Sequence, residues 1–230
     1  PQHKNIFFVY NTHMASSMHT GSELRHHKQN RIKICVSGAA EMGFLGPQDY
    51  EIAKELGKEI VRQGCVLTTG ATTGFPLWAA MGAKEEGGVS IGLSPASTEQ
   101  EHVEVYRLPV DYQDLIIYTG FGYTGRDLLL TRSSDAVIIG PGRIGTIHEF
   151  TVAYEDQKPI GILRGDWETD QVIEMIIAKS HRVNNKIIFA DNPKDLVAQI
   201  IAMVKTDAKL HHYVRVNDDN VGGTLGERIL

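Results

Sequence analysis

From Arg31 onward, seven short apolar runs alternate with six stretches of helical spacing, and this order restricts the possible folds more than any other feature. The runs lie at 32–38, 65–69, 89–93, 115–118, 136–139, 159–163 and 186–189. They are continuously apolar rather than alternating, so both faces of each strand are covered. The helical stretches are 49–63, 76–86, 123–133, 146–156, 169–180 and 193–205. In the first of these, Ile52, Leu56 and Ile60 recur every fourth residue, and Gly64 ends the stretch. Pro76 opens the second and Gly87-Gly88 follows it. Residues 94–111 are polar and hold Pro95 and Pro109, which predicts a long connection. Strand and helix alternating in this way predict a single α/β domain over 32–207. Its architecture is a doubly wound parallel sheet with helices on both faces, without repeat or linker.

Composition narrows the partners. The 230 residues are 42% hydrophobic and 22% charged, which suits a packed globular chain. A net charge of −5 supplies no bulk positive field, so neither nucleic acid nor an anionic membrane is expected as a partner. No apolar run approaches the ~20 residues of a membrane span. Cys35 and Cys65 both sit inside apolar runs, which reads as two buried thiols and a cytoplasmic setting.

The ends differ from the middle. Residues 1–31 hold five of the ten histidines, His3, His13, His19, His26 and His27, in no regular ligand spacing. They are expected to form a variable, partly disordered extension, with an edge strand allowed at 6–10. Residues 208–230 are expected to be a polar tail that frays.

In an open parallel sheet, ligands bind beyond the carboxyl ends of the strands. Three such ends are rich in small and hydroxyl residues: Ser37-Gly38-Ala39-Ala40, Thr69-Gly70-Ala71-Thr72-Thr73-Gly74 and Gly140-Pro141-Gly142-Arg143-Ile144-Gly145-Thr146. Each precedes a helix, whose first amides favour an anion. Candidate phosphate-binding residues are Ser37, Gly38, Gly70, Thr72, Thr73, Gly74, Gly142, Arg143, Ile144, Gly145 and Thr146. No turn has the Gly-Lys-Ser/Thr of a Walker loop, and none pairs G-x-G-x-x-G with a following acid, which disfavours a dinucleotide.

Arg126, then Ser134-Asp135-Ala136 and an apolar strand, then Pro141-Gly142-Arg143-Ile144-Gly145-Thr146-Ile147-His148-Glu149 resembles the "Lonely guy" family. These are cytokinin riboside monophosphate phosphoribohydrolases, widely mislabelled as lysine decarboxylases. The resemblance spans roughly residues 32–205 and includes the Gly70–Gly74 turn. It implies a Rossmann-like homodimer that binds a nucleoside 5′-monophosphate, with Gly142, Gly145 and Thr146 on the phosphate. It also implies that Arg126 and Glu149 serve N-glycosidic cleavage, with no metal and no other cofactor. Arg143 stands where the family has glycine, and Asp127 where it usually has lysine. The apolar stretches 76–81 and 150–154 add to the homodimer expectation.

The chemistry fits these residues. Cleaving an N-glycosidic bond passes through an oxocarbenium-like state. A carboxylate such as Glu149 can stabilise that state, and Arg126 can position the phosphate or the carboxylate. His148 neighbours Glu149 in a helix and is expected to face elsewhere. Two functions remain open at this point: a hydrolase, favoured by Arg126 and Glu149, and a nucleotide-binding protein without turnover, favoured by Arg143 and Asp127.

Overall fold

The structure is a computed structural model that describes residues 31–41 and 43–220, with side chains up to Asp207. It holds seven strands: β1 (Lys33–Ser37), β2 (Val66–Thr69), β3 (Ser90–Ser94), β4 (Leu115–Tyr118), β5 (Ala136–Ile139), β6 (Ile160–Leu163) and β7 (Ile187–Ala190). They are joined by α1 (Pro47–Arg62), α2 (Phe75–Glu85), α3 (Gly122–Ser133), α4 (Ile144–Glu155), α5 (Thr169–Lys179) and α6 (Pro193–Asn220). All pairings are parallel, and the strands lie in the order β4-β3-β2-β1-β5-β6-β7. The doubly wound α/β architecture expected from the sequence is what the chain adopts.

Alternate residues of each strand feed opposite faces, because a strand's side chains have a period of two. Ile34 and Val36 of β1, Leu67 of β2 and Ile138 of β5 pack with α1, α2 and α6. Cys35 of β1, Val137 and Ile139 of β5 and Ile162 of β6 pack with α3, α4 and α5. Each fully buried Ile or Phe of these layers contributes about 1.5–3 kcal/mol relative to exposure. Both cysteines are buried and free, and burial pushes their thiols up, Cys65 to about 11.

The long connection after β3 is ordered by one buried side chain. A single π-helical turn at Glu101–Val105 carries His102, which is fully buried. Its ring nitrogens meet Ser94 Oγ at 2.8 Å and the Pro109 carbonyl at 3.0 Å. These bonds tie both ends of the polar stretch to the C-terminal end of β3.

α6 runs on to Asn220, past the Lys205 end that the sequence suggests and past the Asp207 boundary drawn for the tail. The expected extension at 1–30, its histidines and the edge strand at 6–10 lie outside the described residues, as do residues 221–230. In the stretches 76–81 and 150–154 that prompted the homodimer expectation, Leu77, Trp78, Met81 and Val152 are only partly buried. Pro76, Ala79, Ala80, Phe150, Ala153 and Tyr154 are buried within the chain, where α2 packs chiefly on α1 and α4 on α3 and the sheet. No helix among the described residues is long and apolar enough to cross a membrane.

Candidate functional site

β1 is flanked by β2 on one side and β5 on the other, so the connections depart in opposite directions from the β1–β5 pair. That reversal opens a crevice beyond the carboxyl ends of these strands. The turns around it are stitched together. Gly140 N donates to the Ser37 carbonyl (2.9 Å), Ala39 N to the Pro141 carbonyl (2.7 Å) and Phe75 N to the Ala39 carbonyl (2.9 Å). Phe75 lies beneath them so closely that a Cβ on Gly38 or Gly140 would come within 2.8 and 2.5 Å of its ring. Two glycines are therefore set by a buried ring, not by a ligand.

A cavity of about 310 Å³ opens in the crevice. Among the residues predicted for the site, Gly38, Gly70, Thr72, Arg126, Arg143, Ile144, Gly145, Thr146 and Glu149 line it. Ser37, Thr73, Gly74 and Gly142 do not, and the structure shows what each does instead. Ser37 Oγ donates to Glu149 Oε2. Thr73 Oγ1 donates to the Ala40 carbonyl at 2.8 Å. Gly74 has φ +70°, and a Cβ there would lie 2.2 Å from the Ala39 carbonyl oxygen, so the turn admits only glycine. Gly142 N donates to Thr169 Oγ1, which donates back to the Gly142 carbonyl, each at 2.9 Å.

The floor is a charged cluster at the α3–α4 packing. Arg126 is 6% exposed, and its Nε lies 3.1 Å from Asp127 Oδ1 without hydrogen-bond geometry. His148 Nδ1 donates to Asp127 Oδ2 at 3.0 Å. Asp127 in turn lies within hydrogen-bonding reach of the Glu149 carboxyl. Burial pushes the Glu149 carboxyl up to about 7; Arg126 opposes the shift and Asp127 adds to it. At the mouth, Arg143 pairs with Glu41 at 2.6 Å and lies over the Phe44 ring, 5.0 Å from its centroid. Its bulk therefore borders the opening and does not fill the floor.

Sequence reasoning passed over Asp127 as a functional residue, and over Thr169, Tyr123 and Phe44. It placed His148 away from the site. The ring does lie outside the cavity, yet it holds the carboxylate that lines it. The available signal was adjacency: Arg126-Asp127 and His148-Glu149 are neighbouring pairs on two consecutive helices. Among the described residues no group of three or more His, Cys, Asp or Glu gathers as a metal-binding set.

The model of the SLOG cluster4 family matches residues 31–197. An uncharacterized protein of Archaeoglobus fulgidus is 30% identical over 133 residues, 58% of this chain and 82% of the relative. The molybdenum cofactor binding protein of Rippkaea orientalis superposes with a TM-score of 0.62 at 28% identity, over 77% of this chain and 99% of that one. These similarities lie in the SLOG superfamily and do not single out the "Lonely guy" family; they lend no support to hydrolase or lysine decarboxylase naming. They also overturn one expectation. DNA processing protein A of Helicobacter pylori, described for its single-stranded DNA binding mode, has the same fold with a TM-score of 0.53. It is 19% identical, over 74% of this chain and 80% of that one, a likeness of fold alone. The exclusion of nucleic acid on net charge is withdrawn, because whole-chain charge does not decide what one face of such a fold binds.

Proposed function

Because the chain belongs to the SLOG cluster4 family, we propose that its cavity binds a small phosphate-bearing ligand of the nucleotide type. The observation that carries this reading is Arg126. Its guanidinium is almost wholly buried at the cavity wall, and its Nε makes no hydrogen bond. A buried guanidinium at a cavity wall offers an anion there charge-assisted hydrogen bonds, which are about twice as strong as neutral ones. The first turn of α4 adds Gly145 and Thr146 at the same wall, where helix amides attract negative charge. Tyr123 and Phe44 give the cavity aromatic surface for a planar ring. The likeness to a molybdenum cofactor binding protein supports a binding role.

The second reading is the hydrolase, favoured by Glu149 lining the same cavity as Arg126. In that reaction the bond between the ribose C1′ and the base nitrogen breaks. Water supplies hydroxide to C1′ and a proton to the base, releasing ribose 5-phosphate. A Glu149 carboxyl near neutrality is suited to passing that proton, and its ionised form to stabilising the cationic sugar.

Calorimetry with nucleoside 5′-monophosphates, ribose 5-phosphate and inorganic phosphate tests the binding reading. Chromatography of the same mixtures for free base separates the two. Micromolar binding with no base released supports the binding protein, and base release supports the hydrolase. Absence of binding to every phosphate-bearing probe overturns both.

A further inference from the structure

The cavity floor holds more acid than its one arginine can balance. Asp127 and Glu149 are both buried, and their carboxyls lie within hydrogen-bonding reach of each other. Two carboxylates in contact cannot both be ionised cheaply, so a proton between them is the low-energy state. The surroundings favour this arrangement. From α3, Arg126 faces both acids. From β1, Ser37 donates to Glu149 Oε2, while the buried Cys35 thiol stays neutral. From α4, His148 donates to Asp127 Oδ2 and is 35% exposed in its side chain, so it connects the pair to solvent. Arg143 at the mouth is already matched by Glu41.

We propose that Asp127 and Glu149 hold one proton between them and that this proton admits an anion to the cavity, with Asp127 as the positioning residue. The inference rests on the anion-binding reading above. With one proton on the pair, its single negative charge offsets Arg126 and the floor is neutral. With none, the floor carries a net negative charge and repels the ligand. The raised Glu149 carboxyl, up to about 7, sets the transition within the neutral range. Anion affinity should therefore fall as pH rises above neutrality, by about tenfold per pH unit for one coupled proton.

The test has two arms on the full chain. The first needs no ligand: carboxyl-detected NMR of wild type, Asp127→Asn and Glu149→Gln between pH 4 and 9. The proposal expects one carboxyl step near neutrality, absent in Glu149→Gln and shifted to lower pH in Asp127→Asn, where burial still raises it. The second arm uses sulfate, which does not titrate over this range, with affinity measured by calorimetry at pH 6, 7 and 8. Wild type should weaken with pH, Glu149→Gln should bind with a flat profile, and Asp127→Asn should weaken at lower pH than wild type. Retained thermal melting of either variant is sufficient for the comparison. A Glu149 that titrates in the ordinary range in wild type, or a step untouched by Asp127→Asn, overturns the shared proton. A normal shared step with no sulfate bound at any pH overturns the anion coupling and counts against the binding reading, leaving the proton pair intact.

Discussion

The Arg126 guanidinium packs so closely over Gly70 that a Cβ added there would lie 1.5 Å from Nη1. Gly70 ends β2's turn into the crevice, and Arg126 comes from α3, so two distant segments fit together only because one has no side chain. The clash would fall on the far end of a flexible side chain, not on backbone. Gly70→Ala should therefore fold with a melting temperature near wild type. It should bind phosphate-bearing ligands at least tenfold more weakly, because Arg126 must swing aside. Calorimetry beside thermal melting checks this, and an unchanged affinity would remove Arg126 from the site.

Gly145 gives the complementary case. A Cβ there would meet nothing within 4 Å, and the residue lines the cavity. Gly145→Leu costs no packing, because the added side chain meets open space in the first turn of α4. The variant should melt near the wild-type temperature and lose nucleotide and sulfate binding together.

Glu149→Gln reports on both stability and turnover. The folded-state carboxyl is raised to about 7 from an ordinary 4.5, so the folded protein holds the proton longer than the unfolded chain. Wild-type stability should fall as pH rises from about 4.5 to 7 and then level off, by up to a few kcal/mol in all. In Glu149→Gln that slope should vanish, which denaturant titration at pH 5, 6, 7 and 8 measures. If the wild type releases free base, the same variant should lower kcat by about 100-fold. Undiminished turnover would exclude Glu149 from the chemistry.

Thr169 on α5 holds the Pro141-Gly142-Arg143 turn from outside the cavity, bonding both the amide and the carbonyl of Gly142. Thr169→Val keeps the shape and removes both bonds. It should cost about 1–3 kcal/mol in denaturant unfolding and weaken anion binding, while Thr169→Ser restores both.

The sequence of this chain was enough to determine the order and type of its elements, and the reason is periodicity. Runs such as 136–139 must be buried on both faces, whereas Ile52, Leu56 and Ile60 share one helix face. It also placed the ligand end of the sheet, because three glycine-rich turns close strands that feed helices. Nine of the residues it nominated line one cavity. The tertiary structure alone decided their division of labour. Gly38 answers to Phe75 and Gly74 to the Ala39 carbonyl, and the Gly142 backbone is held by Thr169 of α5, contacts between segments that no local pattern relates. The same holds for the charges. Asp127 looked like a departure from a motif, and His148 like a residue turned away. Packing α3 against α4 brought His148 onto Asp127 and Asp127 onto Glu149. Helix periodicity fixes which residues share a face, but the partner of that face, and hence the protonation of a buried carboxyl, is set by the packing of whole elements.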